Sequence, residues 1–415
     1  MKRPYSKLFL STLVMTMMSP VTYAIDLTGA FIVAQSVDPQ YQAAKSANVA
    51  SNAQALNSRL AYLPTYNYSR AQLPTLGATS FTQGLSQPIF DMGKATTFLQ
   101  GGPQSTLAAA TFTTSTQDLA TRTLNAVNQI VLAKEALKAN KGQIDALEFQ
   151  YKGATKRYEV GLGTVTDMLD VQVKFEQAKA NQLTLKANLQ GANDQFAALT
   201  GQYPDTSDFI LPNKHEVFEV DSLDAILNKV EQENSAIIAA KANEKIAQLS
   251  VVQSANAFLP TVAYTQSKST LSGVTSINNG ITLTIPINVS SYVNTYATYA
   301  KASESSSTRL QTETQTKVKV QQIYSLIAAG QESLKIQWKA VDVARLSVIA
   351  NQKGYEAGVK GTTDVLLAIQ NEFQAKVTYA QAATGQAVNL LTLLLTAAED
   401  PMKAVERTQT FLFRK

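Results

Sequence analysis

The chain is written twice, and this duplication limits what it can fold into more than any other feature. Tyr158-Glu159-Val160-Gly161 recurs as Tyr355-Glu356-Ala357-Gly358, an offset of 197 residues (355 minus 158). At that offset Thr166 meets Thr363, Asp167 meets Asp364, Leu169 meets Leu366, and Gln177-Ala178-Lys179 meets Gln374-Ala375-Lys376. Upstream, Ala61, Leu63-Pro64-Thr65 and Tyr68 match Ala257, Leu259-Pro260-Thr261 and Tyr264 at an offset of 196 (257 minus 61). A repeat fixes architecture before local structure does, because each copy must build the same supersecondary unit. Each copy reads as a helix, two extended segments, a very long helix, a glycine-marked turn and a returning helix.

Export frames the duplicated body. Lys2, Arg3 and Lys7 precede an apolar run from Leu8 to Met18, and Thr22-Tyr23-Ala24 puts small residues at the −3 and −1 positions. That pattern predicts a signal peptide over 1–24, cleaved after Ala24, with an uncleaved anchor as the weaker alternative. The first repeat is then 25–202, with strands at about 59–72 and 79–91 and a long helical hairpin at about 95–202. A linker rich in Pro and Asp follows at 203–220. The second repeat is 221–400, with strands at about 257–268 and 276–289 and a hairpin at about 291–398. The tail, 401–415, reads as irregular.

The formal charge of +5 includes the three leader cations, leaving about +2, too little for nucleic-acid binding. Cysteine is absent, so neither a disulfide nor an acylated cysteine is expected. With one histidine, His215, and no cysteine, neither a zinc site nor a Ser/Cys–His catalytic arrangement can be assembled. The glycines lack a phosphate-loop pattern. No enzyme, metal or cofactor is expected.

The long helices beat in sevens. Ile130, Leu137, Ile144, Tyr151 and Tyr158 are spaced by seven, as are Ile327, Leu334, Val341, Val348 and Tyr355. Strict sevens keep one seam aligned only under left-handed supercoiling. The second seam is thinner: Ala133, Asn140, Leu147 and Ala154, then Gly330, Gln337, Ala344 and Asn351. A narrow seam with wide polar flanks suits lateral packing around water, although a solid coiled-coil rod satisfies it too. About 50 helical residues reach roughly 75 Å, well beyond a bilayer.

The extended segments alternate with period two. Ile277, Ile281, Leu283, Ile285, Ile287 and Val289 share one face, and Asn278, Gly280, Thr282, Thr284, Pro286 and Asn288 share the other. Leu60, Tyr62, Tyr66 and Tyr68 form the apolar face of the first segment, Phe81, Leu85 and Ile89 that of the second, and Phe258, Val262 and Tyr264 that of the third. Such segments fit outer-membrane strands, and a soluble sandwich strand reads similarly. Four strands cannot close a barrel, and an open edge cannot sit in lipid with its N–H and C=O groups unpaired. Membrane strands here therefore demand a shared barrel and an obligate oligomer.

Ser86-Gln87-Pro88-Ile89-Phe90-Asp91-Met92-Gly93, its echo Leu283-Thr284-Ile285-Pro286-Ile287, and the turns Arg157-Tyr158-Glu159-Val160-Gly161-Leu162 and Gly354-Tyr355-Glu356-Ala357-Gly358-Val359 resemble the TolC family of outer-membrane export ducts. The resemblance spans essentially the whole mature chain. It implies an α+β membrane protein whose four strands per chain join a trimeric twelve-stranded barrel above a periplasmic α-helical coiled-coil tunnel. It further implies a homotrimer in outer-membrane lipid, partnered by a periplasmic adaptor and an inner-membrane ABC or proton-driven transporter. In the family a periplasmic gate is held by polar contacts, which fall here on Thr166, Asp167, Tyr355, Lys360 and Asp364. One departure is plain: Leu367 stands where relatives often carry a second acid, and Asp170 occupies the matching place in the first copy.

Ordinary roles compete for these residues. Asp167 and Asp364 follow threonines at helix starts, where a threonine cap and an acid at the positive dipole end are expected anyway. Gly161, Gly163, Gly358 and Gly361 are helix stops and tight-turn residues that shape the tip an adaptor would grip. Tyr158 and Tyr355 end the seams, and Lys360 by default is a solvated charge. The function expected is passive conduction through an outer-membrane exit duct; the alternative is a soluble periplasmic coiled-coil structural or adaptor protein without a pore.

Overall fold

The computed structural model describes residues 26–73, 78–205, 209–212, 217–271, 273–286 and 290–413. The expected signal peptide, His215, Ile287 and Val289 lie outside the described residues. In chain order the elements are α1 (Leu27–Val37), α2 (Pro39–Arg59), β1 (Thr65–Leu73), β2 (Ala78–Phe90), α3 (Met92–Glu159), α4 (Val165–Thr200), α5 (Leu223–Glu233), α6 (Ser235–Ala255), β3 (Thr261–Leu271), β4 (Val274–Thr284), α7 (Ser290–Glu356), α8 (Thr362–Thr396) and α9 (Pro401–Phe413). At 1.5 Å per residue, α3 and α7, of 68 and 67 residues, each reach roughly 100 Å.

The strands form one antiparallel sheet in the order β1-β2-β3-β4. Each strand runs into one helix, and the helices keep that order: α2 packs on α3, α3 on α6, and α6 on α7. Farther along, α3 pairs with α4, α7 pairs with α8, and α3 meets α8. The main core lies about midway, where α1, α3, α4, α8 and α9 bury Phe31, Leu124, Ile130, Phe196, Leu391 and Leu412.

The seams hold. Ile130, Leu147, Ala154, Ile327, Leu334 and Val348 are buried. Two seam positions that are not apolar have defined neighbours. Asn140 is fully buried, and its amide donates to the Ala178 carbonyl across the α3–α4 pair at 3.1 Å. Gly330 makes room for Gln386, whose amide donates to the Ile327 carbonyl at 2.8 Å; a Cβ on Gly330 would overlap that amide.

Several boundaries differ from the expectation. The first helix of each copy is two helices, broken at Asp38 and Asn234, which are themselves 196 residues apart. Pro39 disfavours a helical Asp38, and the Asp38 carboxylate then caps α2 by accepting from the Tyr41 N–H at 2.8 Å. In the second copy Asn234 accepts from the Ala236 and Ile237 N–H groups and donates to the Thr396 carbonyl at 2.8 Å. The chain at Leu60 is a turn, and Phe258 belongs to a 3-10 turn, so β1 and β3 begin later than the alternation suggested. Ile89 falls in a register shift between Pro88 and Phe90. The tail is helical, not irregular. The Asp400 side chain accepts from the Met402 and Lys403 N–H groups, Pro401 starts the helix, and Ala404, Val405, Thr408, Phe411 and Leu412 are buried. Gln409 then grips the start of α1, accepting from Thr28 and donating to Asp26.

Asp38 also joins Arg122 of α3 at 2.8 Å, and this guanidinium holds its carboxyl below the ordinary carboxylate range. Removing it takes from the partly buried Arg122 one of its two carboxylate partners, leaving Asp118, and uncaps α2. Asp38→Ala should therefore lower stability by about 3 kcal/mol, and Asp38→Asn, which keeps a cap, by less. Thermal melts followed by the fluorescence of Trp338, which packs on the same core, check this. Because the folded pKa is depressed, the contribution is present at neutral pH and is lost only as pH falls through that depressed value.

Candidate functional site

Two places carry the chemistry of a conduit: the sheet and the far ends of the helical hairpins. The sheet register sorts its side chains by size. Tyr66 pairs with Leu85, Tyr68 with Gln83, Gln87 with Tyr264, and Tyr264 with Ile281. Tyr66, Tyr68, Phe81, Leu85, Tyr264, Ile277, Ile281 and Leu283 thus share one face. The opposite face carries Thr65, Asn67, Ser69, Thr82, Gly84, Ser86, Thr265, Ser267, Asn278, Gly280 and Thr282. Along β3 the bulky side is exposed at Tyr264, Gln266 and Lys268, whereas Ala263, Thr265 and Ser267 are half-buried. The sheet therefore curls around its small polar face. A concave wall of Ser, Thr, Gly and Asn suits water, and a convex wall of aromatic and branched side chains suits hydrocarbon. Among the described residues, β1 and β4 each have one partner strand, so their outer edges carry no strand within the chain.

The hairpin ends are duplicates in backbone and opposites in side chain. In the first, the Gly161 N–H donates to the Tyr158 carbonyl and the Leu162 N–H to the Arg157 carbonyl. In the second, the Gly358 N–H donates to Tyr355 and the Val359 N–H to Gly354. Both are Schellman closures, which require a left-handed residue; Gly161 and Gly358 have φ of +77° and +74°. Gly163 and Gly361 do not carry positive φ. Gly361 begins α8, and its N–H donates to the Asp364 carboxylate at 3.1 Å.

At the 197-residue offset Arg157 corresponds to Gly354, and Gly163 to Lys360. The cation and the glycine have changed places. In the second hairpin the stem of Lys360 lies against Gly354, where a Cβ would meet it at 2.7 Å. Its ammonium stands 3.9 Å from Asp364 with both groups about half exposed, an arrangement worth at most about 1 kcal/mol. In the first hairpin Gly163 leaves room for Arg157, which reaches across to the other repeat. Its Nη1 donates to the Tyr355 carbonyl at 3.0 Å, and its guanidinium lies 4.7 Å from the centre of the Tyr355 ring.

Asp167 completes the junction. Thr164 caps α4, accepting from the Asp167 N–H and donating to its carboxylate at 2.6 Å. That bond holds the Asp167 carboxyl below the ordinary range, helped by the Thr362 hydroxyl of the other hairpin and by the charge of Arg157. The Thr362 hydroxyl is buried and has no hydrogen-bond partner of ordinary geometry. Of the residues singled out in the sequence, Asp167 and Tyr355 meet at this junction, Lys360 and Asp364 pair within their own hairpin, and Thr166 and Asp170 are exposed. Arg157, quoted only as part of a turn motif, makes a direct bond between the two hairpin ends. Its signal in the sequence was the broken symmetry with Gly354.

Taken together, an open curved sheet with a wet concave side, continued by helices far longer than a bilayer is thick, defines a wall segment of an outer-membrane channel. The sequence profile of the outer membrane efflux protein family matches residues 37–202 and again 226–398, and the chain belongs to that family. It is 26% identical over 357 residues to outer membrane protein TolC of Escherichia coli K12, covering 79% of this chain and 72% of the relative. It is 25% identical to alkaline protease secretion protein AprF of Pseudomonas aeruginosa, covering 85% and 80%. The outer-membrane channel OprN superposes with a TM-score of 0.78 at 14% identity, covering 91% and 90%, which establishes the shared fold. The protein lies in the outer membrane with a large periplasmic portion and serves as an exit duct for exported proteins or small molecules. The soluble coiled-coil alternative is not favoured.

The cross-repeat contact has a measurable consequence. With spin labels on the exposed Leu162 and Val359, Arg157→Ala should broaden and lengthen the distance distribution between the hairpin ends. Arg157→Lys, which keeps charge but not the planar stack, should fall between it and the native chain. Because the Asp167 pKa is depressed, its share of the contact is intact at neutral pH and is lost only as pH falls through that lowered value. The distribution should not change between about pH 5 and 8.

Proposed function

We propose that three copies of this chain close one twelve-stranded barrel and one helical tunnel, conducting cargo passively while an inner-membrane transporter supplies the energy. The observation that carries this is the pair of free edges on β1 and β4. In lipid those backbone groups must be paired, and the β4 of one copy meeting the β1 of the next satisfies them. The helices support the same closure. The outer members of the helical row are α2 and α7, which expose Val49, Leu56, Tyr292, Val293 and Tyr296, apolar groups suited to a neighbour's helix or to the membrane boundary.

The hairpin ends are read as the periplasmic gate, with Thr166, Asp167, Asp170, Tyr355, Lys360 and Asp364 facing the constriction, and with Gly161, Gly163, Gly358 and Gly361 shaping the turns an adaptor grips. A periplasmic adaptor joins the duct to an ABC or proton-driven transporter. Relatives named for protease secretion, together with the family's description as outer membrane efflux proteins, support both protein and small-molecule cargo. Opening the gate breaks the Arg157–Tyr355 contact, worth about 2 kcal/mol per subunit. Three such contacts total roughly 6 kcal/mol, within what a micromolar adaptor interaction of about 8 kcal/mol can offset.

Cell fractionation and an unboiled gel should find the processed protein as a membrane-bound trimer. In planar bilayers, joint replacement of Tyr355 and Lys360 should raise single-channel conductance, and Arg157→Ala should raise it by at least as much. A monomer recovered without detergent and lacking conductance would refute the duct assembly. Unchanged conductance in all these variants would refute the gate assignment alone.

A further inference from the structure

Between Leu60 and Phe90 and between Ala257 and Val289 the chain carries two charged side chains, Arg70 and Lys268, and no carboxylate. The register places both on the bulky face. Arg70 pairs with Phe81, which pairs with Thr270, while Tyr68 pairs with Gln83, which pairs with Lys268. The two cations thus stand in adjacent same-face rows, on β1 and β3. Two strand spacings and two residue rises put their Cα atoms roughly 12 Å apart. Both side chains are exposed. Gln83 and Gln266, between and beside them on that face, add amide donors.

Both cations also lie at the hairpin end of the sheet, three residues before β1 ends at Leu73 and three before β3 ends at Leu271. The helices leave from the other end. With the helices in the periplasm, the cations occupy the outer rim of the barrel. From Val262 at the helix end to Lys268 is roughly 20 Å along the strand, close to the height of the apolar band of about 25 Å once the Lys stem extends beyond it. A cation at mid-membrane on this face costs about 2–4 kcal/mol, and near the interface almost nothing. The position therefore marks where hydrocarbon gives way to headgroups. The Arg70 guanidinium lies over the Phe81 ring at 5.3 Å, which holds it against the sheet beside the other donors.

We infer that this rim patch of Arg70, Lys268, Gln83 and Gln266 binds the phosphate groups of the phosphorylated glycolipid in the outer leaflet. Two cations, flanking amides and no acid complement an anionic headgroup, and the aromatic and branched side chains below them accept its acyl chains. The inference rests on the barrel placement given under the proposed function.

The test uses the detergent-purified full-length oligomer and three probes: bisphosphorylated lipid A, the same glycolipid with its phosphates removed, and inorganic phosphate. Native mass spectrometry should show the wild type holding bisphosphorylated lipid A roughly tenfold or more tightly than the dephosphorylated form. R70Q/K268Q should lose that preference, as expected for removal of two interfacial cations, while R70K/K268R retains it. Equal binding of the two glycolipids by the wild type, or an unchanged preference in R70Q/K268Q, would overturn the inference. So would complete displacement by inorganic phosphate, which would mean a site for a free anion. Unboiled gels and bilayer conductance verify that each variant assembles; should the double variant fail to do so, R70Q and K268Q singly should each weaken the preference several-fold. A conducting oligomer without lipid preference sinks this inference and leaves the duct standing, whereas a non-conducting wild type sinks the duct itself.

Discussion

An unpaired backbone edge in hydrocarbon is the constraint on which this structure depends. Each exposed N–H or C=O without a partner costs several kcal/mol in lipid, and a four-stranded ribbon has two such edges. In the proposed assembly, the β4 edge of one copy is met by the β1 edge of the next. Strand order and helix order coincide, so the unit is a curved wall segment rather than a globule. Its free elements fall at the two lateral borders: β1 with α2 on one side and β4 with α7 on the other.

Duplication gives such a wall two nearly equivalent halves, and its uses lie where the halves part company. Both hairpins close with the same Schellman hydrogen bonds, yet Arg157 and Gly163 in one become Gly354 and Lys360 in the other. One cation folds back over its own turn, and the other crosses to Tyr355. The same divergence appears at the helix breaks. Asp38 bonds the Arg122 guanidinium, while Asn234 bonds the Thr396 carbonyl. A charge in one copy and an amide in the other keep the break in both and change what each is tied to.

Energetically, the hairpin junction is light and the middle of the molecule is heavy. Phe31, Phe196, Leu391 and Leu412 are fully buried where α1 and α9 meet the long helices. Beside its guanidinium stack, carbonyl bond and capped aspartate, the junction has only a smaller apolar cluster, in which Leu147, Val348, Val365 and Ile369 are buried and Tyr355 packs against them. The gate proposed for the hairpin ends draws on this grading, since local opening follows from fewer buried contacts and exposed hydrogen bonds.

Most of the fold was legible in the sequence because it is written in periods. Sevens gave the coiled-coil seams, twos gave the strands, and one offset near 197 gave the repeat. These signals depend only on which residues share a face. What escaped depended on particular partners. The α9 helix is short, and its pattern gains meaning only once Gln409 meets Thr28 and Asp26. The break at Asn234 lacks the proline that marks Asp38, and it is settled by side-chain bonds to Ala236, Ile237 and Thr396. The gate candidates were recognisable as a turn motif, but that Arg157 rather than Lys360 crosses between the repeats follows from Lys360 lying on Gly354 of its own hairpin and Arg157 packing on Tyr355 of the other. By itself, the sequence determined the duplicated unit and its faces, because these follow from periodicity. Only tertiary structure decided which side chains join the repeats, because contacts between residues about 200 positions apart depend on packing that no local period encodes.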